Sequence, residues 1–129
     1  MKMRVPHIVP LSIQSISVLR ELQLINSHKE HLFPNRNKPM TFISENTLLY
    51  ALYRMGYHLR ATIHGFRATA STILNEHGFK PDVIEHQLAH CERNKVRASY
   101  NHAQYLPERR EMMQWWGNYL NQIQTNETF

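Results

Sequence analysis

A mainly α-helical fold with a small β-strand or β-hairpin at the N-terminus is what these 129 residues predict. Three observations carry that expectation. Apolar residues recur at helical spacing in several separate stretches. Pro and Gly stand where helices would begin or end. Only one segment, near the N-terminus, reads as extended. The length suits one domain with a single core.

The extended segment is "RVPHIVPLS", residues 4–12, with β-branched residues and with Pro6 and Pro10 at positions an edge strand tolerates. Ser12 is placed to cap the next helix, in which Ile13, Ile16, Leu19 and Leu22 recur at near-helical spacing through about Ile25. "HLFPNRNKPM" reads as a polar connector whose Leu32 and Phe33 are expected to touch the core. Ser44 is the expected cap of a second helix, "ENTLLYALYRMGY", with Leu48, Leu52 and Met55 on one face.

A third helix is predicted from Thr62 to about Glu76, ended by a left-handed stop at His77–Gly78. Pro81 suits the first position of the next helix, "PDVIEHQLAH". "NKVRASYNHAQY" reads as another short helical piece, and Pro107 opens a last amphipathic helix. In that helix Met112, Trp115, Trp116, Tyr119 and Leu120 form an apolar stripe expected to be core. A lone N-terminal strand would leave backbone groups unpaired, so the chain reads as the later part of something longer.

Composition narrows the function classes. The net charge of +5 makes a polyanionic partner plausible, and the excess lies in residues 1–59, with seven Lys/Arg against three Asp/Glu. A single cysteine, Cys91, excludes an intramolecular disulfide and is read as a small buried residue. No apolar run approaches the ~20 residues of a membrane span. Two prolines and a histidine interrupt the start "MKMRVPHIVPLSI" as a signal core, so a soluble, cytoplasmic protein is expected. His86 and His90 are four apart, yet no Cys pair or His-Glu-x-x-His completes a metal site; His86 and His102 are read as surface residues.

The chemistry concentrates in "IHGFRATASTILNEHG" and "VIEHQLAHCERNKVRASYNHAQYL". His64 and Arg67, three apart near a helix start, project from one side of its first two turns, where amide donors favour an anion. His90 follows "LA" at the end of the next helix, and Tyr100 comes ten residues later. A tyrosine nucleophile, a guanidinium for non-bridging oxygens and imidazoles for proton transfer match attack on a phosphodiester.

"HGFR", then "LAH", then a tyrosine resembles the C-terminal catalytic domain of the tyrosine recombinases, the phage-integrase family, and "QLAHCERNKVRASYNHAQYLPERREMMQWWGNYL" is similar to integrases of prophages and genomic islands. The resemblance implies catalytic roles for His64, Arg67, His90 and Tyr100. It places Lys2, eight residues before Pro10 of "HIVPLS", at the family's hairpin lysine. Arg4, Lys95 and Arg97 are the further residues expected on DNA. Tyr105, fifteen residues after His90, is the rival nucleophile, but the family's spacing favours Tyr100.

The same resemblance implies site-specific recombination of mobile DNA through a 3′-phosphotyrosyl intermediate, without cofactor. Residues 1–129 would be the later part of the catalytic domain, with core-binding and arm-binding domains absent. Duplex attachment sites would be the partner, and protomers would assemble on DNA through the C-terminal helix. One element departs from the pattern: the family's first arginine lies upstream of the lysine, and nothing before Lys2 supplies it. This chain alone is therefore expected to be impaired as an enzyme. The alternatives are a non-catalytic DNA-binding fragment and an oligomerisation module.

Overall fold

The computed structural model describes residues 7–26, 29–89 and 105–126. Among them five helices stand in order: α1 (Ile13–Ile25), α2 (Asn46–Arg54), α3 (Ile63–Glu76), α4 (Pro81–Gln87) and α5 (Leu106–Asn126). The expected α class holds. Residues 7–12 belong to no strand, and the other half of the expected hairpin, like most of "NKVRASYNHAQY", lies outside the described residues. The β pairing present among the described residues is one antiparallel bridge, Pro34 to Phe42, from within the segment read as a connector to just past its end.

The helix ends follow local backbone chemistry. Ser12 Oγ accepts from the Ser15 amide at 3.2 Å, the capping bond that its position before α1 suggests. Ser44 does not act this way: its hydroxyl bonds the Thr47 hydroxyl at 3.1 Å, and α2 starts without a side-chain cap. The capping position of α2 falls on Glu45, one residue past Ser44, so the Ser44 hydroxyl is not at the helix start. Thr62 Oγ1 accepts from the Gly65 amide at 2.9 Å, closing the start of α3.

Gly78 takes φ +83°, and its amide donates to Asn75 while that of Phe79 donates to Leu74. This pair of bonds satisfies the last carbonyls of α3 and needs the left-handed residue that glycine supplies cheaply. Lys80 is extended (φ −62°, ψ 129°), and Pro81 fills the first position of α4, as the sequence indicates. Helix α5 begins at Leu106, one residue before the expected Pro107.

By contact the chain divides into two units, residues 1–15 with 71–129, and residues 16–70. In the first, Leu74, Val83, Ile84 and Met112 are buried, with Phe79, Leu88, Tyr105, Met113, Trp115 and Trp116 packed around them. Trp115 stacks on Tyr119 at 5.2 Å and meets Phe79 at 5.3 Å, so the predicted stripe of α5 is core except for Leu120, which is 46% exposed. His86, expected on the surface, is half-buried with its ring 5.7 Å from that of Tyr105. Its place three residues after buried Val83 puts it on that residue's side of short helix α4.

The first turn of α1 is laced to α5 by neutral side chains. Gln114 accepts from the Ile13 amide (3.0 Å) and donates to Gln14 (3.0 Å), which donates to Asn118 (2.8 Å). Close approach here depends on Gly117. A Cβ at that position would stand 2.5 Å from Gln14 Oε1 and 2.8 Å from Ser12 Cβ. Alanine would gain about 1 kcal/mol of helix propensity, but overpacking costs about 1–3 kcal/mol. Ser12 Cβ cannot swing aside without moving its backbone, so the clash wins. Gly117→Ala is expected to lower stability by about 1 kcal/mol or more, read as a shift of the urea midpoint with unchanged slope.

In the second unit the 33–43 segment is a closed turn. Asn35 Oδ1 accepts from the amides of Asn37 and Lys38, and Ile43 donates to Phe33 at 3.0 Å. Leu32 and Phe33 are 44% and 43% exposed, so the expected core contact is not made. On α2, Leu48 is likewise exposed, as is Met55 just past its end, while Leu49, Ala51, Leu52 and Tyr53 are half-buried. The inward face is rotated from the one that apolar spacing suggests.

Candidate functional site

Helix α3 positions the two described members of the expected constellation. With Thr62 as its capping residue, His64 is the second helical residue and Arg67 the fifth. At about 100° per residue their side chains leave the helix some 60° apart, on one side. The first amides of a helix have no intrahelical acceptor, and here Thr62 takes that of Gly65.

His64 is exposed, and among the described residues no hydrogen bond or ion pair engages its ring. Arg67 is half-buried and held by a contact of its own. An exposed imidazole beside a half-buried arginine at a helix start suits an anionic group better than an apolar ligand. The other expected site residues, Lys2, Arg4, His90, Lys95, Arg97 and Tyr100, lie outside the described residues. Tyr105, the rival nucleophile, is half-buried and packs against the Leu74–Ile84–Met112 cluster.

An open cleft of about 450 Å³ lies along α3, lined by Leu59, Arg60, Phe66 and Thr69 among others. Gly65, Phe66 and Thr69 lie on the side of α3 away from His64 and Arg67. The cleft is therefore not the space into which the constellation projects. Among the described residues no group of three or more His, Cys, Asp or Glu is arranged to hold a metal ion, and no helix is long and apolar enough to cross a membrane.

Residues 1–106 match the model of the phage integrase family. The chain belongs to that family. It is 48% identical over 125 residues to the integrase of Enterobacteria phage P4, covering 94% of this chain and 28% of that protein. It is 46% identical over 123 residues to the integrase of Shigella phage Sf6, covering 95% of this chain and 32% of the relative. The prophage integrase IntA of Escherichia coli K12 is 45% identical over 118 residues, with 92% of this chain and 29% of the relative aligned. This integrase-family chain thus spans about three-tenths of the length of these relatives. No solved structure matches it.

One buried polar residue of this integrase-family chain escaped the reading of its sequence. Arg109 of α5 is 1% exposed, and burial pulls its guanidinium below the ordinary arginine value. A signal for it exists. Arg109 stands three, four and seven residues before Met112, Met113 and Trp116, on the inward stripe that Arg110 misses.

Proposed function

We propose that residues 1–129 are the C-terminal part of an integrase catalytic domain, with a small N-terminal hairpin carrying Lys2. The parent enzyme breaks and rejoins duplex DNA at attachment sites. The observation that carries this reading is the "HGFR" turn of α3, with His64 and Arg67 on one side of a Thr62-capped start, in a chain 45–48% identical to phage and prophage integrases.

The chemistry follows from the residue types. Tyr100 attacks the scissile phosphorus through its phenol oxygen, the bond to the 5′ oxygen breaks, and a 3′-phosphotyrosyl link forms. A phenol with a pKa near 10 is about one part in a thousand ionised at pH 7, so His64 assists by receiving the proton. Arg67 holds the non-bridging oxygens, for which planar paired donors suit better than a lysine. His90 adds a hydrogen bond to phosphate, and Lys2 protonates the departing 5′ oxygen. Reversal by another 5′ hydroxyl reseals the strand, so bond energy is conserved and neither ATP nor metal enters. Arg4, Lys95 and Arg97 contact the backbone, and protomers assemble on DNA through the C-terminal helix.

The test replaces the matching segment of the phage P4 integrase with this chain, incubates the chimera with that phage's attachment-site DNA, and maps any covalent protein–DNA adduct by peptide analysis. Attachment at the 3′ phosphate through Tyr100 is the expected result. Attachment through Tyr105, or no adduct in a folded chimera that binds the DNA, overturns the assignment.

A further inference from the structure

Arg109 is an unusual choice for a buried position. A guanidinium taken out of water is costly unless hydrogen bonds replace its hydration. An apolar residue would pack on Met112 and Trp116 without that cost. Both of its side-chain partners among the described residues are neutral oxygens on different segments: Nε donates to Gln87 Oε1 at 2.9 Å, and Nη2 donates to the carbonyl of Ile8. Gln87 is the last residue of α4, and its own carbonyl accepts from His7 Nε2 at 3.3 Å. One planar fork on α5 thus bridges the 7–8 segment and the C-terminal end of α4, and the His7 contact closes the triangle. All of these residues belong to one unit.

The end of α4 also leaves the helix in an uncommon conformation. Ala89 takes φ +52°, with its amide donating to His86 at 3.1 Å. A left-handed non-glycine residue persists only where its surroundings hold it. Gln87, two residues earlier, is the point at which Arg109 grips the helix.

We propose that Arg109 is a positioning residue: its guanidinium holds the Ile8 segment and the C-terminal end of α4 in fixed register with α5. The functional side of this proposal rests on the recombinase reading, because "LAH" runs from Leu88 directly into His90. Arg109 touches no DNA in this role. It acts by fixing where the chain leaves α4.

The experiment has a structural and a kinetic arm. In the 129-residue chain, Arg109→Met keeps the buried volume but removes the fork. Amide exchange at Leu88 and Ala89 is expected to quicken roughly tenfold relative to mid-helix amides of α5. Unchanged relative exchange overturns the brace. In the P4 chimera, Arg109→Met is expected to slow covalent adduct formation at saturating DNA by about 10²-fold, with the half-saturating DNA concentration unchanged. Arg109→Lys, which keeps the charge but gathers its donors on one nitrogen instead of a planar fork, is expected to restore less than a tenth of the lost rate. Loss of adduct amplitude at unchanged rate would mean fewer folded molecules only, and would overturn the positioning role. If Tyr100→Phe forms adducts as readily as the unsubstituted chimera, the recombinase reading fails; the exchange arm then still decides the brace.

Discussion

Replacing Arg67 with alanine in the P4 chimera is expected to slow covalent adduct formation by about 10²–10³-fold, the usual loss for one charge-stabilising donor. The side chain projects beside His64 from the first two turns of α3, where negative charge growing on two non-bridging oxygens would meet a fixed planar donor pair. Arg67→Lys should recover little, since an ammonium supplies the charge without the paired geometry. Single-turnover rates at saturating DNA check the prediction. Equal losses in rate and in rate divided by half-saturation would mark an interaction made only in the transition state. A loss confined to half-saturation would make Arg67 a ground-state phosphate contact.

Ile84→Ala should produce the largest loss of stability among core substitutions, about 2–5 kcal/mol. Ile84 is 0% exposed and packs in the cluster of Leu74, Val83 and Met112 between α3, α4 and α5. That cluster has few fully buried members, so the cavity has few neighbours able to collapse into it. Against a typical total of about 5–15 kcal/mol, the loss is a large fraction. Urea denaturation of the 129-residue chain tests it, and a loss below about 1 kcal/mol would mean that this cluster is not what holds the unit together.

Sequence and structure agree best where the deciding physics is local. The Gly78 stop and Pro81 start follow from backbone conformations that those residues favour, and both stand where expected. The Ser12 cap is of the same kind. Ser44 failed because the helix begins one residue later than its position requires, with Glu45 at the cap. Leu32, Phe33, Leu48 and Met55 failed for a different reason: apolar type fixes a preference for burial but not which face is covered. Arg109 lay hidden because "PERREMM" reads as a charged first turn, and only the phase of the helix separates Arg109 from Arg110. His64 and Arg67 were legible as a pair because three-residue spacing on a helix start is itself a geometric statement.

The lacing of α1 to α5 has a consequence for any experiment with DNA. Gln14, Gln114 and Asn118 are neutral amides, so dissolved ions have no charge there to screen. Contacts between basic side chains and phosphate weaken steeply as ionic strength rises, through release of counterions. Raising salt should therefore strip nucleic acid from the protein while this joint stays closed. The slope of affinity against salt then carries no contribution from the opening of this joint.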